Sequence, residues 1–462
     1  MTRKFLLAIA SLLALVLGLV SSVPPANSTV DAGGAPSTAG HGHRLPRPVI
    51  FVHGGAGSGA QFESQGMRLT SNGYPADRVA VLEYDSTFGV DTMADVQARL
   101  DDLIADLLER TGADKVDLLG HSLGTFVSQS YLNSSPERAA SVAHYVNIDG
   151  GTAAALPCGV PTLAVWGEGS QTRQIVGATN YYAPTQSHVQ VATSAETFAQ
   201  FYKFFTGRRA RTTDVVPERP DKVRISGEAN LFPSNVGAEG TTLRIWEVSA
   251  RTGARVGRHP KATFAIGADG AWGPFRANGN RRYELALSNP TGTTHHFYFQ
   301  RFLRSDHLVR LLTSEPGTGI DLLREKSDRH ESLTIVRYKE WWGDQAALND
   351  TLKIDGLSLL NAANAPRTKR VNAVFAFDAG SDGVTNLAAP LPALFALPFI
   401  TGMDVYIPAT TPPRDVVTVA MTARAGDGRS EVVNVPNWAS SQHHVTIQFR
   451  DFEQRNERWG PG

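Results

Sequence analysis

A serine flanked by two glycines is the residue of this chain best suited to chemistry. The segment Gly120-His121-Ser122-Leu123-Gly124 directly follows a strongly apolar run at residues 116–119. A G-x-S-x-G pentapeptide between a buried strand and a helix forms a nucleophile elbow, a tight turn that exposes the serine hydroxyl. The two glycines leave room for the helix to approach the strand. The pattern predicts Ser122 as a nucleophile, and because so short a motif can also arise by chance, the prediction depends on the surrounding sequence.

A glycine-rich loop upstream could stabilise the negative charge that such a nucleophile creates. Residues 47–52 have the pattern of a buried strand and run into His53-Gly54-Gly55-Ala56-Gly57. Where a nucleophile elbow is present, a loop in this place supplies one oxyanion-hole N–H, and the residue after the nucleophile supplies the other. We therefore predict the backbone amides of Gly55 and Leu123 as the two donors. The spacing does not match the G-x-G-x-x-G loop of a dinucleotide site.

A histidine downstream of the serine is expected to act as the general base. His188 lies in Thr185-Gln186-Ser187-His188-Val189, a loop that leads to a possible capping box at Thr193-Ser194-Ala195-Glu196. The helix that follows carries an apolar face at i, i+3, i+4 and i+7 and stops at Gly207. A histidine on the loop before the last helix suits the order of a serine, an acid and then a histidine. His188 is therefore the predicted base.

Two carboxylates compete for the third role, which is to orient the histidine. Asp149 closes the strand pattern at residues 144–148, and Glu168 follows the strand pattern at residues 163–167. Both strands are expected to end at the same edge of a parallel sheet, so either side chain could reach the same crevice. Asp149 and Glu168 are therefore both candidates for the acid.

These motifs resemble the lipase and esterase branch of the α/β-hydrolase superfamily over residues 46–207. The segment from Phe51 to Ser58, followed by Phe62 and Gly73-Tyr74, is similar to small bacterial lipases that lack a large cap. The whole chain, with a β-rich tail, resembles the two-domain long-chain lipases first recognised in thermophilic archaea, and the tail resemblance is the looser of the two.

The resemblance carries implications for the acid and for the activity. Many α/β-hydrolases place the acid after the later strand, where this chain has Ser170, and a serine cannot carry the charge. In the two-domain lipases the acid follows the earlier strand, which supports Asp149. The resemblance implies carboxylic ester hydrolysis, with acylglycerols as substrates at a lipid–water interface and no organic cofactor.

Composition and the amino terminus agree with an exported enzyme. The chain of 462 residues has 44 basic and 44 acidic side chains, so its charge does not favour nucleic acid as a partner. Arg3 and Lys4 precede an apolar run at residues 5–20, and Ala26-Asn27-Ser28 is a plausible cleavage site. The run is shorter than a typical bilayer span, so it predicts a signal peptide and a secreted protein. Nothing in the sequence indicates the oligomeric state.

Beyond the hydrolase domain, the apolar period changes to two and predicts an all-β sandwich or barrel region. The predicted division is a signal peptide over residues 1–28, a flexible leader over 29–45, a minimal, capless, mostly parallel α/β-hydrolase catalytic domain over 46–207, a linker over 208–220, a β-sandwich module over 221–330 and a second β-rich module over 331–462.

Two features of the second module admit more than one interpretation. The apolar stretch over residues 387–408 contains four prolines, which rules out a regular transmembrane helix. It could pack in a core, dock onto lipid, or line the mouth of an acyl site that the capless domain leaves open. Asp378 and Asp382 could ligate a structural Ca²⁺, although aspartates in such a segment more often form turns.

The sequence thus predicts a secreted serine ester hydrolase that works through an acyl-enzyme. One alternative is an inactive extracellular protein whose β modules bind lipid or polysaccharide. A polyester depolymerase or an acyltransferase would use the same triad, and no residue distinguishes them.

Overall fold

The computed structural model describes residues 45–450, apart from residues 425 and 427. The predicted signal peptide and nearly all of the predicted leader lie outside the described residues. Within the described part of the chain, no helix combines the length and the apolar character needed to cross a membrane.

The N-terminal domain is built on a six-stranded sheet in which every neighbouring pair is parallel. Its strands are β1 (Val49–Val52), β2 (Val79–Leu82), β3 (Val116–His121), β4 (Val142–Ile148), β5 (Thr162–Trp166) and β6 (Thr179–Tyr182). They lie in the order β2-β1-β3-β4-β5-β6. Because β1 and β3 are buried on both faces, they have continuous apolar character rather than alternation. The predicted α/β-hydrolase fold is confirmed.

Helices cover both faces of this sheet. They are α1 (Glu63–Ser71), α2 (Met93–Thr111), α3 (Leu123–Ser134), α4 (Pro136–Ala140), α5 (Gln190–Thr193) and α6 (Ala195–Thr206). The buried side chains of α2 and α3 join one core cluster, and those of α1 and α6 join the cluster on the other face. The apolar face of α6 buries Phe198, Phe201 and Phe205, each of which contributes roughly 2 kcal/mol by leaving water. This packing fixes the loop that leads into α6.

The helix boundaries follow from their caps. A capping box at Thr92 begins α2, as its hydroxyl accepts from the Asp95 amide while the Asp95 carboxylate accepts from the Thr92 amide. Ser194, rather than Thr193, caps α6 through the Thr197 amide, and the helix ends at Gly207 in the left-handed conformation. Residues 149–161 alone connect β4 to β5, so that connection holds no helical cap.

The C-terminal region is rich in β-strands. They are β7 (Arg224–Leu231), β8 (Val236–Gly237), β9 (Thr242–Val248), β10 (Ala262–Ala265), β11 (Ala271–Arg276), β12 (Arg282–Ser288), β13 (Thr294–Phe299), β14 (Asp306–Thr313), β15 (Leu333–Trp341), β16 (Thr351–Ile354), β17 (Leu357–Ser358), β18 (Val371–Phe377), β19 (Ile400–Asp404), β20 (Val416–Thr422), β21 (Ser430–Pro436) and β22 (His443–Phe449). One short helix, α7 (Pro392–Phe395), precedes β19.

One large sheet runs through both predicted β modules. Its eight strands lie in the order β10-β9-β12-β13-β22-β15-β18-β19, and β22 joins the two halves by pairing in parallel with β13 and β15. A sheet containing β7, β11 and β14 packs on the first half, and a sheet of β16, β17, β20 and β21 packs on the second half. Alternate residues of β15 and β22 belong to the apolar core between the large sheet and the sheet of β16, β17, β20 and β21. The residues between them face a cavity next to the hydrolase domain.

Candidate active site

The backbone at Ser122 forms a strained elbow between β3 and α3. Ser122 has φ 53° and ψ −121°, a conformation that costs a residue with a side chain on the order of 1–3 kcal/mol. Its amide donates to the Ile148 carbonyl over 3.0 Å, and its carbonyl accepts from the amide and the hydroxyl of Thr125 over 3.0 and 2.7 Å. These bonds hold the elbow and present the serine side chain at the carboxyl edge of the sheet.

The two glycines of the pentapeptide are required by close approach. A Cβ on Gly124 would overlap the carbonyl oxygens of Val52 and His53 on β1 and the loop after it. A Cβ on Gly120 would lie 2.6 Å from the Gly124 carbonyl oxygen, which is closer than any real contact allows. The start of α3 can therefore lie against β1 and β3 only if both positions lack a side chain.

The structure brings together the three residues that the sequence predicts. His188 Nε2 lies 2.9 Å from Ser122 Oγ, and His188 Nδ1 lies 2.7 Å from Asp149 Oδ2. In the neutral tautomer that suits both contacts, Nδ1–H donates to the carboxylate and Nε2 accepts from the serine hydroxyl. An imidazole held in this way can take the serine proton and is stabilised by the carboxylate when it becomes charged.

Asp149 is held as an anion directly after β4. Its Oδ1 accepts from the Gly167 amide and the Ser170 hydroxyl, each over 3.1 Å. Burial by itself would raise the pKa of this carboxyl, but the hydrogen bond and charge of His188, together with the Gly167 amide, hold the pKa below its ordinary value. Asp149 is therefore an anion at neutral pH.

The two other polar residues considered for the acid role have different partners. Glu168 forms an ion pair with Arg367 from the C-terminal region. Ser170, in the position where many relatives place the acid, supports Asp149 by donating to it. The geometry thus pairs Asp149, and not Glu168, with the histidine.

His121, the residue before the serine, binds the backbone of the loop that carries His188. Its Nε2 lies 2.8 Å from the His188 carbonyl oxygen, and its Nδ1 lies 2.6 Å from Gln61 Nε2. Burial and the charge of His188 lower the pKa of His121 to about 3, so it stays neutral. In that state Nε2–H donates to the loop carbonyl while Nδ1 accepts from the Gln61 amide, which fixes its orientation.

The two predicted oxyanion donors lie beside the serine. Leu123 is the first residue of α3, so its amide has no acceptor within the helix. Gly55 follows Gly54, and a Cβ on Gly54 would lie only 3.0 Å from Ser122 Cβ, so this loop borders the elbow. An oxygen held between the Gly55 and Leu123 amides would also lie at the N-terminus of α3, the positive end of the helix dipole.

An aromatic side chain from the C-terminal region covers the histidine. The Phe399 ring stacks on the His188 ring with 6.2 Å between centroids and 9° between planes. Phe399 also lines a cavity of about 570 Å³ whose wall is formed almost entirely by the β-rich region. Ala56 of the oxyanion loop borders the same cavity, whose wall does not include Ser122 or His188. Phe399 therefore contacts the histidine and also borders this space.

Much of the cavity is lined with apolar side chains from several strands and loops. Its apolar lining residues include Leu231, Phe232, Leu312, Val336, Phe375 and Ile400. Polar side chains such as His295 and His444 line another part, where burial keeps the pKa of each well below the ordinary value.

The aspartates considered for Ca²⁺ take part in a turn. The Asp378 carboxylate accepts from the Gly383 amide, and Asp382 Oδ1 accepts from the Val384 amide over 2.8 Å. Residues 45–450, excluding the two undescribed positions, contain no group of three His, Cys, Asp or Glu side chains that could hold a metal ion.

Comparison with protein families agrees with this architecture. Residues 47–151 match the α/β hydrolase fold, residues 221–316 match the lipase C-terminal domain, and residues 319–453 match a further family described as a C-terminal domain. The N-terminal domain therefore has the α/β-hydrolase fold, and part of the C-terminal region is similar to the C-terminal domain of lipases. A comparison with curated proteins finds no match.

Solved structures of hydrolases are similar to part of the chain. Lipase B of Aspergillus fumigatus is 16% identical with a TM-score of 0.30, over 38% of this chain and 56% of the lipase. Lipase BlEst2 of Bacillus licheniformis is 16% identical with a TM-score of 0.30, over 37% of this chain and 96% of that one. The chain thus spans about half of the A. fumigatus lipase.

Several C-terminal residues that the sequence analysis did not single out contact the site. Asn235 Nδ2 donates to the Gly57 carbonyl over 2.9 Å and lies 3.2 Å from His53 Nε2, so it holds the oxyanion loop. Glu340 contacts the residues on both sides of His188. The only sequence signal for Glu340 is a charged run, Arg337-Tyr338-Lys339-Glu340, inside a strand, and all three charged side chains are buried.

Proposed function

We propose that this protein is a secreted serine carboxylic ester hydrolase, a lipase that cleaves acylglycerols through an acyl-enzyme. The observation that carries the proposal is the hydrogen-bonded chain from Ser122 Oγ through His188 to Asp149. Its order along the sequence is the one expected after a nucleophile elbow. Secretion is proposed from the predicted signal peptide over residues 1–28.

The proposed reaction uses these residues in two half-cycles. Ser122 Oγ attacks the ester carbonyl while His188 Nε2 takes its proton, and the amides of Gly55 and Leu123 stabilise the oxyanion. His188 then gives the proton to the leaving alcohol, which leaves an acyl group on Ser122. Water attacks this acyl-enzyme with His188 again as the base, and the carboxylic acid is released.

The cavity beside Phe399 supports an ester with an extended acyl part as the substrate. A space of about 570 Å³ lies within the usual range for small-molecule sites, and much of its wall is apolar. The hydrolase domain has no helical cap between β4 and β5, so the C-terminal region is the part that covers the site. The match of residues 221–316 to the lipase C-terminal domain also supports a lipid ester.

The first test is replacement of the nucleophile. We expect Ser122→Ala to lower kcat on p-nitrophenyl esters by about 10⁴-fold or more, because the other site residues cannot supply a nucleophile. The melting temperature should stay close to that of the wild type, and an alkyl phosphonate should label the wild type alone. Turnover retained by the variant would contradict the assignment of Ser122. A wild-type protein that neither turns over nor reacts with the phosphonate would favour the inactive binding protein.

A further inference from the structure

We infer that Glu340 of the C-terminal region is a positioning residue for His188, so that the catalytic machinery is complete only when the two regions are docked. This inference rests on the proposed function, because it concerns the same histidine. It assigns to a strand of the second β module a part in the orientation of the base.

The position of Glu340 follows from the register of β15. This strand pairs with β22 from Leu333 to Arg337, and beyond Arg337 it continues without that partner. An irregularity between Val336 and Trp341 separates it from β18 over the same stretch. The residues just before Trp341 can therefore bulge from the large sheet toward the hydrolase domain before Trp341 pairs with Val371, and Glu340 there is fully buried.

The Glu340 carboxylate accepts three hydrogen bonds from residues that flank His188. Oε1 accepts from the Val189 amide over 2.6 Å, and Oε2 accepts from the Gln190 amide over 3.1 Å and from the Ser187 hydroxyl over 2.5 Å. Donors on both sides of one residue fix the path of the backbone through it. Because hydrogen bonds to an ionised acceptor are about twice as strong as neutral ones, this carboxylate is a rigid anchor.

A buried network holds the backbone of β15 at Glu340. Arg424 donates to the Glu340 carbonyl and to Gln190 Oε1, the latter over 2.9 Å, so it bridges the strand and the histidine loop. Asp350 accepts from Arg424 over 2.6 Å, and it also pairs with Arg337 over 2.8 Å. A displacement of the strand end would break several buried ionic contacts, each of which is costly to leave unpaired.

The loop that carries His188 is thus held by hydrogen bonds from both regions. His121 binds the His188 carbonyl from the hydrolase side, and Glu340 binds the neighbouring residues from the C-terminal side. The Thr193 hydroxyl, one turn later, donates to the Tyr338 carbonyl of β15 over 2.9 Å. With the backbone held in this way, the His188 side chain starts from a fixed position, from which its ring contacts Ser122 and Asp149. A shift of about 1 Å in such a group can reduce turnover a hundredfold.

The test is Glu340→Gln in the full chain, with Glu63→Gln as the matched control. Both glutamates are buried where the hydrolase domain meets the C-terminal region, but Glu63 contacts Gln448 and Arg450 and neither the triad nor the loop around His188. Active sites are titrated with an alkyl phosphonate, so that kcat is expressed per reactive serine and any loss of folded protein is removed. The low-field proton resonance of His188 Nδ1–H provides a second readout of its orientation.

We expect Glu340→Gln to lower kcat per titrated site at least tenfold on p-nitrophenyl acetate, with KM changed less than twofold, and to shift or broaden the low-field resonance. Glu63→Gln should stay within twofold of the wild type. If Glu340→Gln does not fold, Ser187→Ala removes one of the three bonds and should lower kcat two- to fivefold.

A folded Glu340→Gln protein with kcat within twofold of the wild type would overturn the inference, as would an unchanged kcat in Ser187→Ala when that variant is the one tested. Either result, obtained beside an active wild type, leaves the proposed function in place. A wild type without turnover or phosphonate labelling would contradict the proposed function itself.

Discussion

At the scale of single residues, the site depends on how Asp149 and Glu168 divide their contacts. Each residue directly follows a strand of the parallel sheet, and the two strands end at the same edge. The sequence positions of the two carboxylates therefore do not distinguish them. Asp149 adopts φ 42° directly after β4, which turns its side chain into the crevice beside His188. Glu168 instead forms an ion pair with Arg367, a residue 199 positions away in the sequence.

The division of roles predicts unequal effects of two matched substitutions. We expect Asp149→Asn to lower kcat by about 10⁴-fold, because an amide cannot hold the charged imidazolium and favours the wrong tautomer. Glu168→Gln should reduce kcat less than threefold, since it removes only a partly exposed ion pair. Initial rates on a short p-nitrophenyl ester, normalised by active-site titration, compare the two. A larger loss in Glu168→Gln would reverse the assignment.

At the scale of elements, the apolar stretch over residues 387–408 contributes buried side chains to two apolar clusters of the second module. Leu394 and Leu397 are buried in one cluster with Phe375 and Phe377, and Met403 joins the main core of the second module. Packing was one of the interpretations that the sequence left open, and docking on lipid remains a hypothesis. Phe399 has a different contact, because it reaches the histidine from the turn before β19, where it has φ 63°.

The location of Phe399 predicts a change in selectivity. In Phe399→Ala, an acyl chain that enters the cavity loses an aromatic contact, whereas an acetyl group does not reach it. We expect the ratio of kcat/KM for the palmitate and acetate p-nitrophenyl esters to fall roughly tenfold, a typical effect of one apolar group in a pocket.

Phe395 provides the matched control for this substitution. It lies in α7 of the same stretch, contacts Lys369 and is not part of the cavity wall. Phe395→Ala should leave the ratio unchanged within twofold. An unchanged or higher ratio in Phe399→Ala would argue against the passage of the acyl chain beside this ring.

At the scale of the whole molecule, buried charges join the hydrolase domain to the C-terminal region. Arg310 of β14 pairs with Glu83 of the hydrolase domain over 2.6 Å. Arg450, just after β22, contacts both Glu63 of α1 and Asp306 of β14, each over 3.2 Å. Two buried carboxylates therefore share one guanidinium, and burial together with the charge of Asp306 raises the pKa of Glu63 to about 8.

This arrangement makes the contribution of Glu63 to the stability of the wild type fall as the pH rises. The folded protein binds a proton at Glu63 more tightly than the unfolded chain, whose ordinary pKa is 4.5, so stability is lost as the pH rises from about 4.5 to about 8. Glu63→Gln removes the group that titrates. We expect its melting temperature to rise relative to the wild type between pH 5 and pH 9. Calorimetry at both pH values checks this, and a difference that stays constant or shrinks would refute it.

Local patterns in the sequence were enough to predict the hydrolase fold and to bring Ser122, His188 and Asp149 to the same crevice as candidates. The elbow, the strand before it and the amphipathic helix after His188 depend on neighbours a few residues apart, and parallel strands must end at a common edge. The exact cap of α6 was predicted less well, because Glu196 accepts from Gln186 rather than closing a capping box.

Only the tertiary structure decided which carboxylate contacts the histidine and what surrounds it. Glu340, Asn235 and Phe399 reach the site from residues that lie far along the chain, and their roles depend on how the large sheet docks against the hydrolase domain. No local period or motif encodes that docking, because it is set by the shape and charge of two whole surfaces. The role of buried charged residues inside a strand, such as Arg337 and Glu340, can be assigned only when their contacts in the folded protein are known.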